Sequence, residues 1–306
     1  MDPVVAIAAF AFGLCFGSFL NVCIYRMPRG LSVVHPRSAC PQCNRPIASY
    51  DNIPVFSWLI LRGRCRHCQS HISPRYILIE LLTGLMFLGC YAYGGPTVAT
   101  LKYGTFGFLL LGLIFTDAET KLLPDKLTIP GLFLGLAFSL LVPVRDLVSQ
   151  FAPGAIHLPV SERVEWRLFS LCDSLLGAAL GAAFLYGVGA VYLRWRNMEG
   201  MGFGDVKLMA MVGAFLGVKL TVFTIFAASI AGSLFGVTTV AIVWLKRTRR
   251  FVRRMADGKR ARQRAWQSAQ LVYRFYQMPF GVFLGSMALL ALFAGNAFLQ
   301  WYGRFW

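Results

Sequence analysis

Carboxylates are the scarce groups in this chain: 13 Asp and Glu stand against 30 Lys and Arg, for a formal charge of +17. Four of them, Glu80, Asp117, Asp173 and Asp205, lie within or against long apolar runs. A charge there is costly, so each is a candidate for function. Asp117 follows the apolar run 106–116, and Asp205 follows Gly202, Phe203 and Gly204. Two carboxyl groups at one site can share a proton and activate a water against a peptide carbonyl. Glycines at 202 and 204 allow a close backbone approach beside the second acid. The same residues also have plainer readings. Thr116 to Glu119 fits a capping box, Asp125 fits the start of the next helix, and Asp205 fits an acid favoured by a helix dipole.

Cysteines supply the second chemical signal. Cys40 and Cys43 form one C-x-x-C pair, Cys65 and Cys68 another, with 21 residues between the inner cysteines. Two such pairs complete a tetrahedral thiolate site, which suits structural Zn2+, with rubredoxin-like iron as the alternative. Four sulfurs close the coordination sphere, leaving no position for a reacting water. The remaining cysteines, Cys15, Cys23, Cys90 and Cys172, fall in apolar runs and read as small buried side chains.

The elements that must hold these groups are membrane helices. The chain is 57% hydrophobic and 14% charged, against about 25% charged in a soluble domain. Eight apolar runs are long enough, or nearly so, to cross a bilayer: 4–25, 76–93, 102–117, 127–143, 170–193, 206–218, 220–245 and 278–300. The intervening segments 26–75, 118–126, 194–207 and 246–277 hold 24 of the 30 basic residues. By the positive-inside rule those segments are cytoplasmic and both termini lie outside. Asp117 and Asp205 then meet at the cytoplasmic face, although 88 residues separate them. The expected architecture is an all-α polytopic membrane protein of about eight transmembrane helices. Its parts are a first transmembrane helix (1–25), a small cytoplasmic zinc-binding domain (26–75) and a membrane-embedded domain (76–306). The basic stretch 246–277 reads as a cytoplasmic loop resting on anionic membrane lipids. Its charge alone would admit nucleic acid, but it carries no recognition motif, so no nucleic acid is expected. The segment 144–169, with Pro153, Gly154 and Pro159 as turn residues, reads as an external loop.

Several stretches together carry a resemblance. They are Gly17 to Pro28, the two C-x-x-C pairs, Pro74 to Gly84, Asp117 with Pro124 and Asp125 beyond it, Gly202 to Lys207, and Pro279 to Gly281. In this order the chain resembles the type IV prepilin peptidase/N-methyltransferase family of the bacterial inner membrane. The resemblance implies a G-x-G-D membrane aspartic peptidase with Asp117 and Asp205 as the catalytic pair. It implies cleavage of a short basic leader after a glycine in type IV prepilins or pseudopilins, serving pili or type II secretion. Methylation of the new N-terminus by S-adenosylmethionine would follow, at a site no residue here marks. Two features depart from the family: segments 144–169 and 246–277 are long, and Val282 stands where the motif usually continues with proline. A peptidase lacking methyl transfer is the nearest rival. A rival of another class is a proton-coupled transporter using Glu80, Asp117, Asp173 and Asp205, which would want its acids spread through the bilayer depth.

Overall fold

The structure is a computed structural model that describes residues 2–144, 146–148, 162–197, 201–252, 258–275 and 278–304. Most of the expected external loop, including Pro153, Gly154 and Pro159, lies outside the described residues. The chain folds as helices: α1 (Pro3–Arg26), α2 (Phe56–Ile60), α3 (Arg75–Gly94), α4 (Val98–Thr120), α5 (Asp125–Ser139), α6 (Glu162–Arg196), α7 (Phe203–Val252), α8 (Gly258–Phe275), α9 (Phe280–Leu290) and α10 (Asn296–Tyr302). A π-helical turn, Ala291–Gly295, joins the last two without a break in direction. Among the described residues the only β pairing is two isolated bridges, both in the cysteine segment.

Six of these stretches are long and apolar enough to cross a membrane. Two further features account for the eight runs read from the sequence. Helix α5, at 15 residues, is the fourth run in shortened form. Helix α7 is two passes, because Gly217 adopts φ 78°, ψ −175° and the chain turns back there. A positive φ of this kind is readily available only to glycine. The reversal shows in the packing: Gly181 of α6 meets Met209 before the turn and Thr221 after it. A Cβ on Gly217 would also strike Asp146 Oδ2 at 2.6 Å.

Close helix contact in lipid relies on small residues, because burying apolar side chains gains little where the surroundings are equally apolar. Gly13 and Gly17 bring α1 onto the backbone of α3 at Gly84 and Glu80. Gly177 and Gly181 of α6 bed against the backbone of Gly213 and Met209. Both glycine pairs have the small-x-x-x-small spacing. Around α4 the interior is filled by large side chains, with Phe106 stacked on Phe215 at 4.6 Å. The two cores meet on α4, one shared with α1 and α3, the other with α5, α7 and α9.

These contacts fix the sense of each pass. The Tyr91 hydroxyl donates to Asp2 O at one end of α1 and α3. Asn21 donates to Tyr76 O near the other end. Gly295 lies against Leu220 while Gly232 lies against Phe280, so α9 and α10 run antiparallel to the second half of α7. One face of the bundle therefore collects the cysteine segment, Asp117, Asp125, Asp205 and the start of α9.

The basic stretch 246–277 differs from its reading as a loop. Helix α7 runs on to Val252, and α8 folds back on it. Trp244 meets Trp266 edge to face at 6.2 Å, Arg247 Nη1 donates to Ser268 O at 2.9 Å, and Ala265 is fully buried between them. Residues 258–275 are rich in Ala, Arg and Gln, which favour helix, and contain no proline. A helical hairpin results.

Candidate functional site: a carboxylate pair and a four-cysteine knuckle

Asp117 sits in the last turn of α4. The capping box, the plainer alternative for these residues, does not form, because Thr116 to Glu119 stay helical and the helix ends only at Lys121, with φ 55°. Thr116 Oγ1 instead donates back to Gly112 O at 2.7 Å. Asp117 is 5% exposed and Asp205 is 8% exposed. The two carboxyl groups lie within electrostatic reach of each other. Asp205 occupies the first turn of α7, its N–H donating to Gly202 O at 3.1 Å. Leu123 ties the two halves together. Its Cβ lies 2.9 Å from where a Gly204 Cβ would stand, and its Cδ1 lies 3.1 Å from the corresponding position at Gly281.

The start of α9 completes the site, and sequence reasoning gave it no role. Val282 N donates to Asp117 Oδ2 at 2.9 Å. A Cβ added at Gly281 would come within 2.9 Å of the same oxygen and 3.1 Å of Cγ. The only sequence signal was the stretch Pro279 to Gly281. A proline at 282 would have no N–H to give. Val282→Pro should remove this hydrogen bond and lower kcat on a leader-bearing substrate by roughly ten- to a hundredfold, from a charge-assisted bond of about 1.5–3 kcal/mol. Val282→Ala keeps the N–H and should hold kcat. Equal kcat in both variants would deny the bond any positioning role.

The other acids are engaged elsewhere. Glu119 pairs with Arg75 at the foot of α3, and Asp125 pairs with Lys207 at 2.7 Å. Lys207 therefore serves α5. Glu80 Oε2 accepts the N–H of Val55 at 2.8 Å, in a loop where Val55 is held at φ 64°. Such a φ is rare for a β-branched residue. Asp173, fully buried at the opposite face, accepts from Asp146 N at 3.2 Å and Val148 N at 2.7 Å. Asp146 in turn accepts from Lys219 N at 2.8 Å, just beyond the Gly217 reversal. Glu80 and Asp173 thus fasten loops to helices. Asp146 and Asp173 also lie close together, but at the opposite face and bound to backbone N–H groups, so among the described residues Asp117 and Asp205 are the converging pair at the cysteine face.

The four cysteines converge as well. Their Sγ atoms all lie within 4.8 Å of one another. The Cys40 to Cys68 separation is 3.7 Å, close to the ~3.8 Å expected between thiolates on a tetrahedral ion with ~2.3 Å bonds. The two pairs adopt the same turn. Cys40 N donates to Arg45 O and Asn44 N to Cys40 O; Cys65 N donates to Ser70 O and Gln69 N to Cys65 O. Asn44 and Gln69 take the left-handed conformation at equivalent places, φ 53° and 56°. The donor set fits a metal ion. The Cys43 backbone N–H is the leading influence drawing the Cys40 thiol down to about 6, and the Ser70 hydroxyl lowers that of Cys68. These two shifts favour thiolates, the form that binds metal. At Cys43 the pull of the Arg45 backbone N–H is outweighed by burial and the neighbouring cysteine side chains, which push the thiol up to about 11. Arg66 grips Asp51 with two bonds of 2.8 and 2.6 Å and holds its carboxyl below the usual range.

Comparison with known proteins follows the same division. The pattern of the bacterial peptidase A24 N-terminal domain matches residues 11–93, which hold α1, the cysteine segment and α3. That of the type IV leader peptidase family matches residues 103–237, which hold Asp117 and Asp205. A prepilin leader peptidase/N-methyltransferase of Aeromonas hydrophila is 32% identical, over 96% of this chain and 92% of its own. One from Myxococcus xanthus is 38% identical, over 77% of this chain and 63% of its own. One from Neisseria gonorrhoeae is 36% identical, over 76% and 81% respectively. No solved structure is significantly similar. With both patterns matched in order and a relative covered almost end to end, the chain belongs to the type IV leader peptidase family.

Proposed function

We propose that this protein is a membrane aspartic endopeptidase that removes the leader of type IV prepilins or pseudopilins, with Asp117 and Asp205 as its catalytic pair. The observation that carries the reading is the convergence of two nearly buried carboxyl groups, out of only 13 in the chain, at one face of a helical bundle. Crowded carboxyl groups cannot both ionise readily, so the pair holds one shared proton. In the reaction one carboxylate takes a proton from water as its oxygen attacks the peptide carbonyl. The other carboxyl gives its proton to the carbonyl oxygen. Collapse of the tetrahedral intermediate returns a proton to the leaving amine and restores the pair. Val282 N–H holds Oδ2 of Asp117 throughout, and Leu123 keeps the two helix ends in register.

Methyl transfer from S-adenosylmethionine to the new N-terminus is the second activity in this proposal, carried by the printed name of the relatives. No geometry among the described residues singles out its site. We assign Zn2+ to Cys40, Cys43, Cys65 and Cys68, where it would clamp the two knuckles as a closed structural centre. We further propose that the cysteine face lies in the cytoplasm, at a bacterial inner membrane; the gathering of 24 of the 30 basic residues in one set of segments supports that orientation. The testing experiment adds a model prepilin to everted and right-side-out vesicles containing the protein. Mass spectrometry should find leader-free substrate only with everted vesicles, and a mass gain of one methyl group only when S-adenosylmethionine is supplied. Uncleaved substrate in both would end the peptidase reading. Cleavage in right-side-out vesicles alone would reverse the orientation.

A further inference from the structure

A cleft of about 480 Å³ lies between the second half of α1 and the cysteine segment. Its helical wall is Cys15, Ser18, Phe19, Val22 and Arg26, and Arg37 stands among the residues that roof it. On α1 this is the side turned away from the packing face, whose buried residues are Gly13, Gly17, Leu20, Asn21 and Ile24. The cleft therefore opens toward the surroundings of the bundle. From Cys15 to Arg26 it follows the helix for roughly 16 Å at 1.5 Å per residue, about the depth of one leaflet. Apolar side chains line its deep end, and two guanidinium groups mark its shallow end.

The charge there is one-sided. No acidic residue lines the cleft. Arg26 is held in place by neutral acceptors, Ser32 O at 3.0 Å and Arg37 O at 3.4 Å, which orient its guanidinium and leave its charge uncompensated. Asp51 is paired with Arg66. Glu80, bonded to Val55 N and to Ser18 of the helical wall, lies behind the apolar end of the cleft, about two helical turns from Arg26 along α1. We propose that this cleft is a binding site for one anionic glycerophospholipid of the adjoining leaflet. An acyl chain would lie along Phe19 and Val22, and the phosphate would sit against Arg26 and Arg37. Basic pockets beside membrane helices recognise head groups in this way, and the volume falls in the range of ligand clefts, roughly 300–1,000 Å³. A basic prepilin leader is excluded by the same two arginines. The bound lipid would brace the cysteine domain against α1, on the flank that protein contacts leave open.

The test does not depend on enzymatic activity. The full chain is reconstituted with phosphatidylglycerol and phosphatidylcholine, then released into detergent and weighed by native mass spectrometry. Wild type should retain about one phosphatidylglycerol per chain. Arg26→Gln with Arg37→Gln should retain on the order of tenfold less. Val22→Trp, which fills the apolar end and spares both arginines, should show the same loss with cysteine-bound metal and helix content unchanged. Inorganic phosphate, lacking an acyl chain, should not displace the lipid. Equal retention by wild type and either variant would overturn the proposal. So would displacement by inorganic phosphate alone, or photocrosslinking from position 15 to polypeptide in place of lipid.

Discussion

Replacing Asp117 by Asn, or Asp205 by Asn, lowers leader cleavage by on the order of 10⁴-fold, and the double replacement costs little more. Each carboxyl group is useful only with the other, since one must accept a proton while its partner donates one. Groups that act as a unit lose nearly all their effect with the first deletion. The substitution itself is gentle: Asn is isosteric with Asp and can still accept from Val282 N–H, so α4 and α9 keep their contact. Asp125→Asn, which loses only the exposed pair with Lys207, is the control and should stay within about fivefold, as an exposed ion pair contributes at most ~1 kcal/mol. Single-turnover cleavage of a model prepilin by folded, membrane-inserted protein measures all four. Substantial cleavage by either single Asp variant would refute the paired mechanism.

The second large effect falls on the cysteine knuckle. Its two turns have no sheet and only short helices around them. Four thiolates would repel one another without a cation, and a structural zinc site contributes on the order of 10 kcal/mol to a small domain at neutral pH. Cys40→Ser or Cys65→Ser should therefore take bound zinc from about one per chain to near zero, and chelation should do the same. Proteolysis within 26–75 should then rise by orders of magnitude, while the membrane helices, which pack through separate cores, remain resistant. Metal analysis and limited proteolysis of the same samples decide it. Complete metal loss with unchanged resistance of this segment would remove the structural role.

Much of this was legible in the sequence because membrane helices and metal knuckles are encoded locally. The run 220–245 carries no charged residue, and the spacing of Cys40, Cys43, Cys65 and Cys68 suits one tetrahedral ion. Even the return of the chain near Gly217 showed as two adjoining runs. The misreadings arose where local and tertiary signals compete. Thr116 to Glu119 matches a capping box, but packing of α4 against α9 and the pairing of Glu119 with Arg75 carry the helix onward. Positive charge in 246–277 suggested a cytoplasmic loop resting on anionic lipid and said nothing of its inner structure, where small residues such as Ala265 let two helices close on each other. Val282 stood out only as a departure from the family motif, with no role to assign. It acts through a backbone N–H, which every residue but proline possesses, so only the fold can say where it points.

The shortness of α5 and of the first half of α7 has a consequence for the surrounding lipid. These neighbours have 15 residues, and 14 from Phe203 to Leu216, which at 1.5 Å each span roughly 21–23 Å against a hydrocarbon thickness of about 30 Å. A hydrophobic mismatch of that size is relieved by local thinning. Helix α5 exposes its outer side, whereas the first half of α7 is largely buried in the bundle, so thinning is expected beside α5 and would carry head groups and solvent toward the Asp205 end of its neighbour. A scissile bond at the end of an apolar substrate helix is thereby brought to a wet boundary without first being drawn out of the membrane. Bilayer thickness becomes a determinant of turnover, with thicker lipids raising the cost of the deformation that the working enzyme imposes.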